Sequence, residues 1–149
     1  MKAEIVNHQN EVKIDLKKTK KIAEILLSQL NFFKGNTLDI SFVDENTIKN
    51  LNEKFRKIKE PTDILSFSYI NSSKINTSNN KQPLLIGELI ICPRIAYKNA
   101  KKLKHSFEKE IAILIAHGLL HLLGYDDSST EKAKIMEEKQ LELIKKLSF

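Results

Sequence analysis

Residues 111–123 are apolar throughout except for Gly118 and two histidines, His117 and His121, and this run constrains the fold more than any other part of the chain. It is too short to span a bilayer, which takes about 20 apolar residues, so a globular fold must bury it. A helix that is apolar on nearly every face is packed on nearly every face. Two imidazoles carried into that environment need polar partners. At a spacing of four, both rings leave the helix on the same side, where one divalent ion can satisfy both.

Gly124 lets the chain leave this helix through a left-handed turn, which brings Asp126 and Asp127 within one loop of the histidines. Three protein ligands with an open position for water form the arrangement of a catalytic zinc, whereas a closed structural site takes a fourth protein ligand. The single cysteine, Cys92, is too distant in the chain to be that fourth ligand. We therefore expect His117, His121 and one of the two carboxylates, Asp126 or Asp127, to hold one divalent metal ion for a hydrolytic reaction. The competing reading has both histidines hydrogen-bonded in the core and Asp126 or Asp127 capping the last helix. A zinc protease carries a glutamate general base directly after its first histidine. Here that position is Gly118, which counts against a metallopeptidase and admits either substrate or a neighbouring helix.

Elsewhere the apolar periodicity predicts short strands at residues 3–6, at Leu38, Ile40 and Phe42 or Val43, at 63–69 and at 84–91. In the third, Ile64, Ser66 and Ser68 lie on one face and Leu65, Phe67 and Tyr69 on the other. The fourth, apolar except for Gly87 and Glu88, suits a strand covered on both sides. Helices are expected over 16–30, with Ile22, Ile25, Leu26 and Leu30 on one face, and after an Asp44 N-cap, with Ile48, Leu51 and Phe55. A third starts at Pro93 and runs to about Lys104, and Ser106 caps the histidine helix. The last covers 131–147 through Ile135, Met136, Leu141, Ile144 and Leu147. Residues 71–82 lack periodicity and read as a loop. These elements imply one α+β domain over 1–149, a roughly four-stranded mixed sheet packed with helices around a zincin-like metal-binding helix. A chain of 149 residues can bury a sufficient core without crosslinks.

The net charge of +6 comes almost wholly from lysine, Arg56 and Arg94 being the two arginines. Lysine neutralises phosphate more than it reads bases, so the charge fits a nucleic-acid partner and equally a solvated surface. The unpaired cysteine and the lack of a basic start with an apolar run in residues 1–10 point to a cytoplasmic protein without membrane contact.

The stretch His117, Gly118, Leu120, His121, Leu122, Gly124, Tyr125 and Asp126 resembles the signature of the YbeY metal-dependent endoribonucleases. Arg56 followed by Pro61, Thr62, Asp63, Ile64, Leu65, Ser66 and Phe67 is similar to that family's arginine and its Thr-Asp-Val-Leu-Ser-Phe strand. Residues 86–91 resemble its Leu-Gly-Asp-Ile strand. The resemblance covers about residues 51–136 in the family's order. It implies a single-strand-specific endoribonuclease with one zinc, acting on ribosomal RNA at the ribosome, and RNA rather than DNA as the nucleic acid. Its implied roles are maturation of the 3′ end of 16S rRNA and late-stage ribosome quality control. Arg56 and His117 become the expected catalytic residues, Arg56 through charge stabilisation on phosphoryl oxygens. One position departs from the pattern: the family's third ligand is usually histidine, and here it is Asp127. A carboxylate lowers the site's charge, makes bound water less acidic, and opens the site to manganese or iron. A ribosome-associated RNA-binding or assembly protein is the non-enzymatic alternative, and a metallopeptidase-like hydrolase the other.

Overall fold

The computed structural model describes residues 2–30, 35–69 and 84–149. Along the described chain the elements are β1 (Lys2–Asn7), α1 (Leu16–Gln29), β2 (Thr37–Phe42), α2 (Glu45–Arg56), β3 (Ile64–Ser68), β4 (Leu85–Ile91), α3 (Pro93–Leu103), α4 (Phe107–Leu122) and α5 (Thr130–Lys145). The expected loop at 71–82 lies outside the described residues.

Short polar side chains start the helices where the sequence placed them. The Asp44 carboxylate accepts the Thr47 N–H at 2.8 Å and the Ser106 hydroxyl accepts the Lys109 N–H at 3.1 Å. Asp15 and Ser129 do the same for α1 and α5. Each cap satisfies one of the N–H groups that a helix leaves unpaired. Pro93 occupies the first turn of α3, where its missing N–H costs nothing.

The strands form one sheet in the order β1-β2-β4-β3, with β3 antiparallel to β4 and the other pairs parallel. Strand alternation then sorts the side chains. Ala3, Leu38, Ile40, Phe42, Leu89 and Ile91 join the larger core with residues of α1, α4 and α5. Val43, Ile48, Leu65, Ile90 and Cys92 form a smaller core on the other face, under α2. The strand at 85–91 is thus covered on both sides, as its continuous apolar run requires. Phe42 ends β2 pointing inward, and Val43, one residue on, joins the opposite core.

The last helix differs from expectation in which face it buries. Met136 and Ile144 are buried and Leu147 packs on the core, but Ile135 and Leu141 are 57% and 60% exposed, and Leu143 is buried instead. The helical period explains this. Positions 136, 143, 144 and 147 share one face, and 135 and 141 fall outside it. Position 140 lies on the buried face too, and it is Gln140.

Candidate active site

The apolar run folds as α4, the helix that packs on β3 and β4 and is flanked by α1, α3 and α5. Gly118 decides how close it comes. A Cβ there would lie 2.6 Å from a Leu89 methyl and 3.1 Å from that of Ile64, so the glycine admits the sheet, and neither a substrate nor a neighbouring helix as the sequence suggested. Gly124, at φ 99°, makes the expected left-handed exit.

Close packing of α4 on the sheet brings its two histidines to the outer edge of β3. Among the described residues β3 has no strand on that side. A cleft of ≈ 640 Å³ runs along it, lined by Phe55 and Arg56 of α2, residues 62–67, His117, His121 and Asp127. Consecutive residues of a strand point to opposite faces, so their shared lining means that the cleft wraps the strand's edge. The start of β3 is anchored by Asp63, whose carboxylate accepts from Asn99 Nδ2 at 3.2 Å and whose carbonyl accepts from the Cys92 N–H. Arg56 is delivered by the end of α2, where Lys57 takes a left-handed conformation. Asn52, buried, donates to the Glu60 carbonyl at 2.8 Å and closes that turn.

His117 and His121 face each other with Nε2 atoms 3.1 Å apart and rings at 80°. Burial, followed by repulsion from His117, pushes the His121 imidazole below its usual range, against a smaller opposing pull from Asp127. It is therefore neutral near pH 7. On the other side of His117, Nδ1–H donates to Oε1 of Gln140 at 2.9 Å, which leaves the Nε2 lone pair turned toward His121. With His117 Nε2 as acceptor, a neutral His121 Nε2–H donates across this distance, and a divalent cation would take the place of that proton. Two nitrogens bound tetrahedrally to one zinc, each about 2.05 Å from it, lie about 3.3 Å apart. The pair fits such an ion.

The two aspartates divide. Asp126 accepts from the Ser128 N–H at 3.0 Å and the Ser128 hydroxyl at 2.7 Å, and those bonds hold its carboxyl below the usual range. It is a turn-forming residue, while α5 is capped by Ser129. Asp127 lines the cleft with an exposed side chain. Among the described residues no three His, Cys, Asp or Glu side chains are already gathered as a ligand set. The structure gathers the histidines, and Asp127 lines the same cleft without completing a ligand set. Arg56 is exposed in the cleft and, among the described residues, no carboxylate pairs with it.

Sequence reasoning missed Gln140. The signal was present, since a polar residue sits on the same helical face as Met136, Leu143, Ile144 and Leu147. Such a residue must find a partner where that face packs, and it finds His117.

A second group of ionisable side chains lies across the sheet. Glu4, Asp39 and Glu88 are cross-strand neighbours, and the Tyr69 hydroxyl donates to Glu88 at 2.7 Å. Burial, then repulsion by Glu88 and Glu4, raises the Asp39 carboxyl, and the Glu88 bond raises the Tyr69 phenol. This row of carboxylates, in which Glu88 pairs in register with Phe67 of the cleft, repels phosphate.

Comparison with known proteins follows the geometry. A family profile described as Endoribonuclease YbeY matches residues 4–148. A protein named Endoribonuclease YbeY from Ureaplasma urealyticum serovar 10 is 37% identical over 146 residues, covering 94% of this chain and 90% of the relative. The protein of that name from Desulforamulus reducens is 32% identical over 146 residues, covering 96% and 95%. The solution structure of TM1509 from Thermotoga maritima superposes with a TM-score of 0.66 at 28% identity, over 96% of this chain and 87% of that one. Among the described residues no helix is long and apolar enough to cross a membrane.

Proposed function

The chain belongs to the endoribonuclease YbeY family, and from that premise we propose that it cleaves single-stranded RNA at one divalent cation held by His117, His121 and Asp127. The observation that carries this reading is the convergence on one cleft of the histidine pair, Arg56 and the 62–67 segment. Its natural substrate is ribosomal RNA at the ribosome, in maturation of the 3′ end of 16S rRNA and in late-stage quality control, in the cytoplasm. Zinc is the expected ion, with manganese or iron as competitors because Asp127 supplies a hard oxygen ligand.

A divalent cation at this position supplies Lewis acidity to a phosphoryl group and makes water acidic enough to attack near neutral pH. The protein supplies the rest. Gln140 fixes the tautomer of His117, and burial keeps His121 neutral, so both Nε2 atoms are available as ligands. Arg56 presents planar donors to the non-bridging phosphate oxygens, where charge grows during displacement. Gly118, packed against Leu89 and Ile64, leaves no place for the general base of a peptidase.

The test uses end-labelled, unstructured RNA with wild-type protein and His121→Ala purified in parallel, with and without chelator. Cleavage by wild type only, abolished by chelator and restored by zinc or manganese, is the expected result. Chelator-resistant cleavage equal in both proteins overturns the metal site.

A further inference from the structure

Phe55 is 54% exposed yet lies in the wall of the cleft that holds Arg56, His117 and His121. Its neighbours along the chain are charged, Lys54 on one side and Arg56 on the other. An exposed apolar side chain is ordinary by itself, but an aromatic ring in the wall of the cleft that holds the histidine pair, between two basic residues, offers a π-face where a ligand would lie. The ring is not loose. Phe67, at the edge of β3, packs against it at 5.1 Å and 70°, which fixes its plane, and the ammonium of the exposed Lys54 lies over the ring, 5.3 Å from its centre, a cation–π position that a stacked base would take over from it.

We propose that Phe55 is the stacking platform of a nucleobase subsite beside the scissile phosphate, and that it is what favours an unpaired strand. This rests on the endoribonuclease reading above and adds to it a binding residue and a source of selectivity. Every base offers a π-face, so an aromatic wall binds RNA without reading its sequence. A base inside a duplex has both faces covered by its neighbours and cannot use the platform. The cleft's ≈ 640 Å³ lies within the range of sites that enclose a small molecule, which suits a single nucleotide. Lys54 and Arg56, on either side of the ring in sequence, then meet the phosphates that flank the stacked base.

The experiment measures affinity by fluorescence anisotropy for a labelled oligouridylate and for a labelled RNA duplex, in chelator, with wild type, Phe55→Tyr, Phe55→Leu and Phe55→Ala. Tyrosine keeps wild-type affinity. Leucine and alanine weaken single-strand binding by about 5- to 150-fold, the span of base–aromatic stacking, and leave duplex binding unchanged. As a check that needs no variant, an abasic nucleotide moved along the oligouridylate costs wild type a similar factor at one position and costs Phe55→Ala nothing there. Leucine equal to phenylalanine, or equal losses for single strand and duplex, overturns the subsite. A wild-type protein that cleaves no RNA overturns the functional reading itself, and the subsite with it; wild-type cleavage with Phe55→Leu unaltered overturns the subsite alone.

Discussion

His117 and Gln140 are joined across 2.9 Å, from the middle of α4 to the buried face of α5, and the bond settles which imidazole nitrogen is free. With Nδ1–H committed to the amide oxygen, Nε2 carries the lone pair that faces His121. Partners of this kind are worth about 10- to 100-fold in metal affinity. Gln140→Leu is expected to lose that factor in a zinc competition titration against a chromophoric chelator. Gln140→Glu, which still accepts from Nδ1, is expected to restore it. Equal zinc affinity in all three proteins would show that the bond only joins the two helices.

Arg56 is exposed and, among the described residues, unpaired, so its removal leaves the fold within about 0.5 kcal/mol of wild type in a urea melt. Cleavage behaves differently. Loss of one positioned donor from a transition state costs about 100- to 1,000-fold in kcat, and Arg56→Ala is expected to fall in that range. Arg56→Lys recovers only part, because an ammonium cannot present two parallel donors.

At Gly118 the expected effect is on stability first. A methyl 2.6 Å from the Leu89 side chain in a fully packed core forces α4 and the sheet apart. Overpacking costs about 1–3 kcal/mol, and the gain in helix propensity from Gly to Ala returns up to about 1. Gly118→Ala should therefore unfold about 1–2 kcal/mol more easily in urea. Combined with Leu89→Ala, the cost should be less than the sum of the single changes, because the second change removes the clash.

Asp44 gives a pH signature. Its hydrogen bonds to Thr47 hold the carboxyl below its ordinary value, so the folded state binds this proton less readily than the unfolded chain. The resulting stability is present above the ordinary aspartate range and is lost as pH falls through the lowered value. Asp44→Ala is expected to cost about 1 kcal/mol near neutral pH, and the difference from wild type should shrink as the solution is acidified below that range. A difference that stays constant down to strongly acidic pH would exclude the ionised cap.

The fold was legible where short-range rules govern it. Caps at Asp44 and Ser106, Pro93 at a helix start and Gly124 at a helix end are satisfied by atoms within a few residues, so their signals are local. The boundaries of α4 followed from the Ser106 cap and the Gly124 stop, and the double coverage of residues 85–91 from its apolar run. Ile135 and Leu141 misled because they are apolar yet lie off the face defined by Met136, Leu143 and Ile144, and an exposed apolar side chain is ordinary on a small protein. At Gly118 the sequence allowed a substrate or a neighbouring helix, and coordinates put the sheet there instead, since any close approach calls for a small residue.

What the sequence by itself determined is the pair His117 and His121 on one side of a buried helix, because a spacing of four and a run of apolar neighbours leave no other geometry. What the tertiary structure decided is what meets them: Gln140 behind His117, and Arg56 and the edge of β3 across the cleft. Those contacts join residues far apart in the chain, and their positions depend on how closely α4 can approach the sheet.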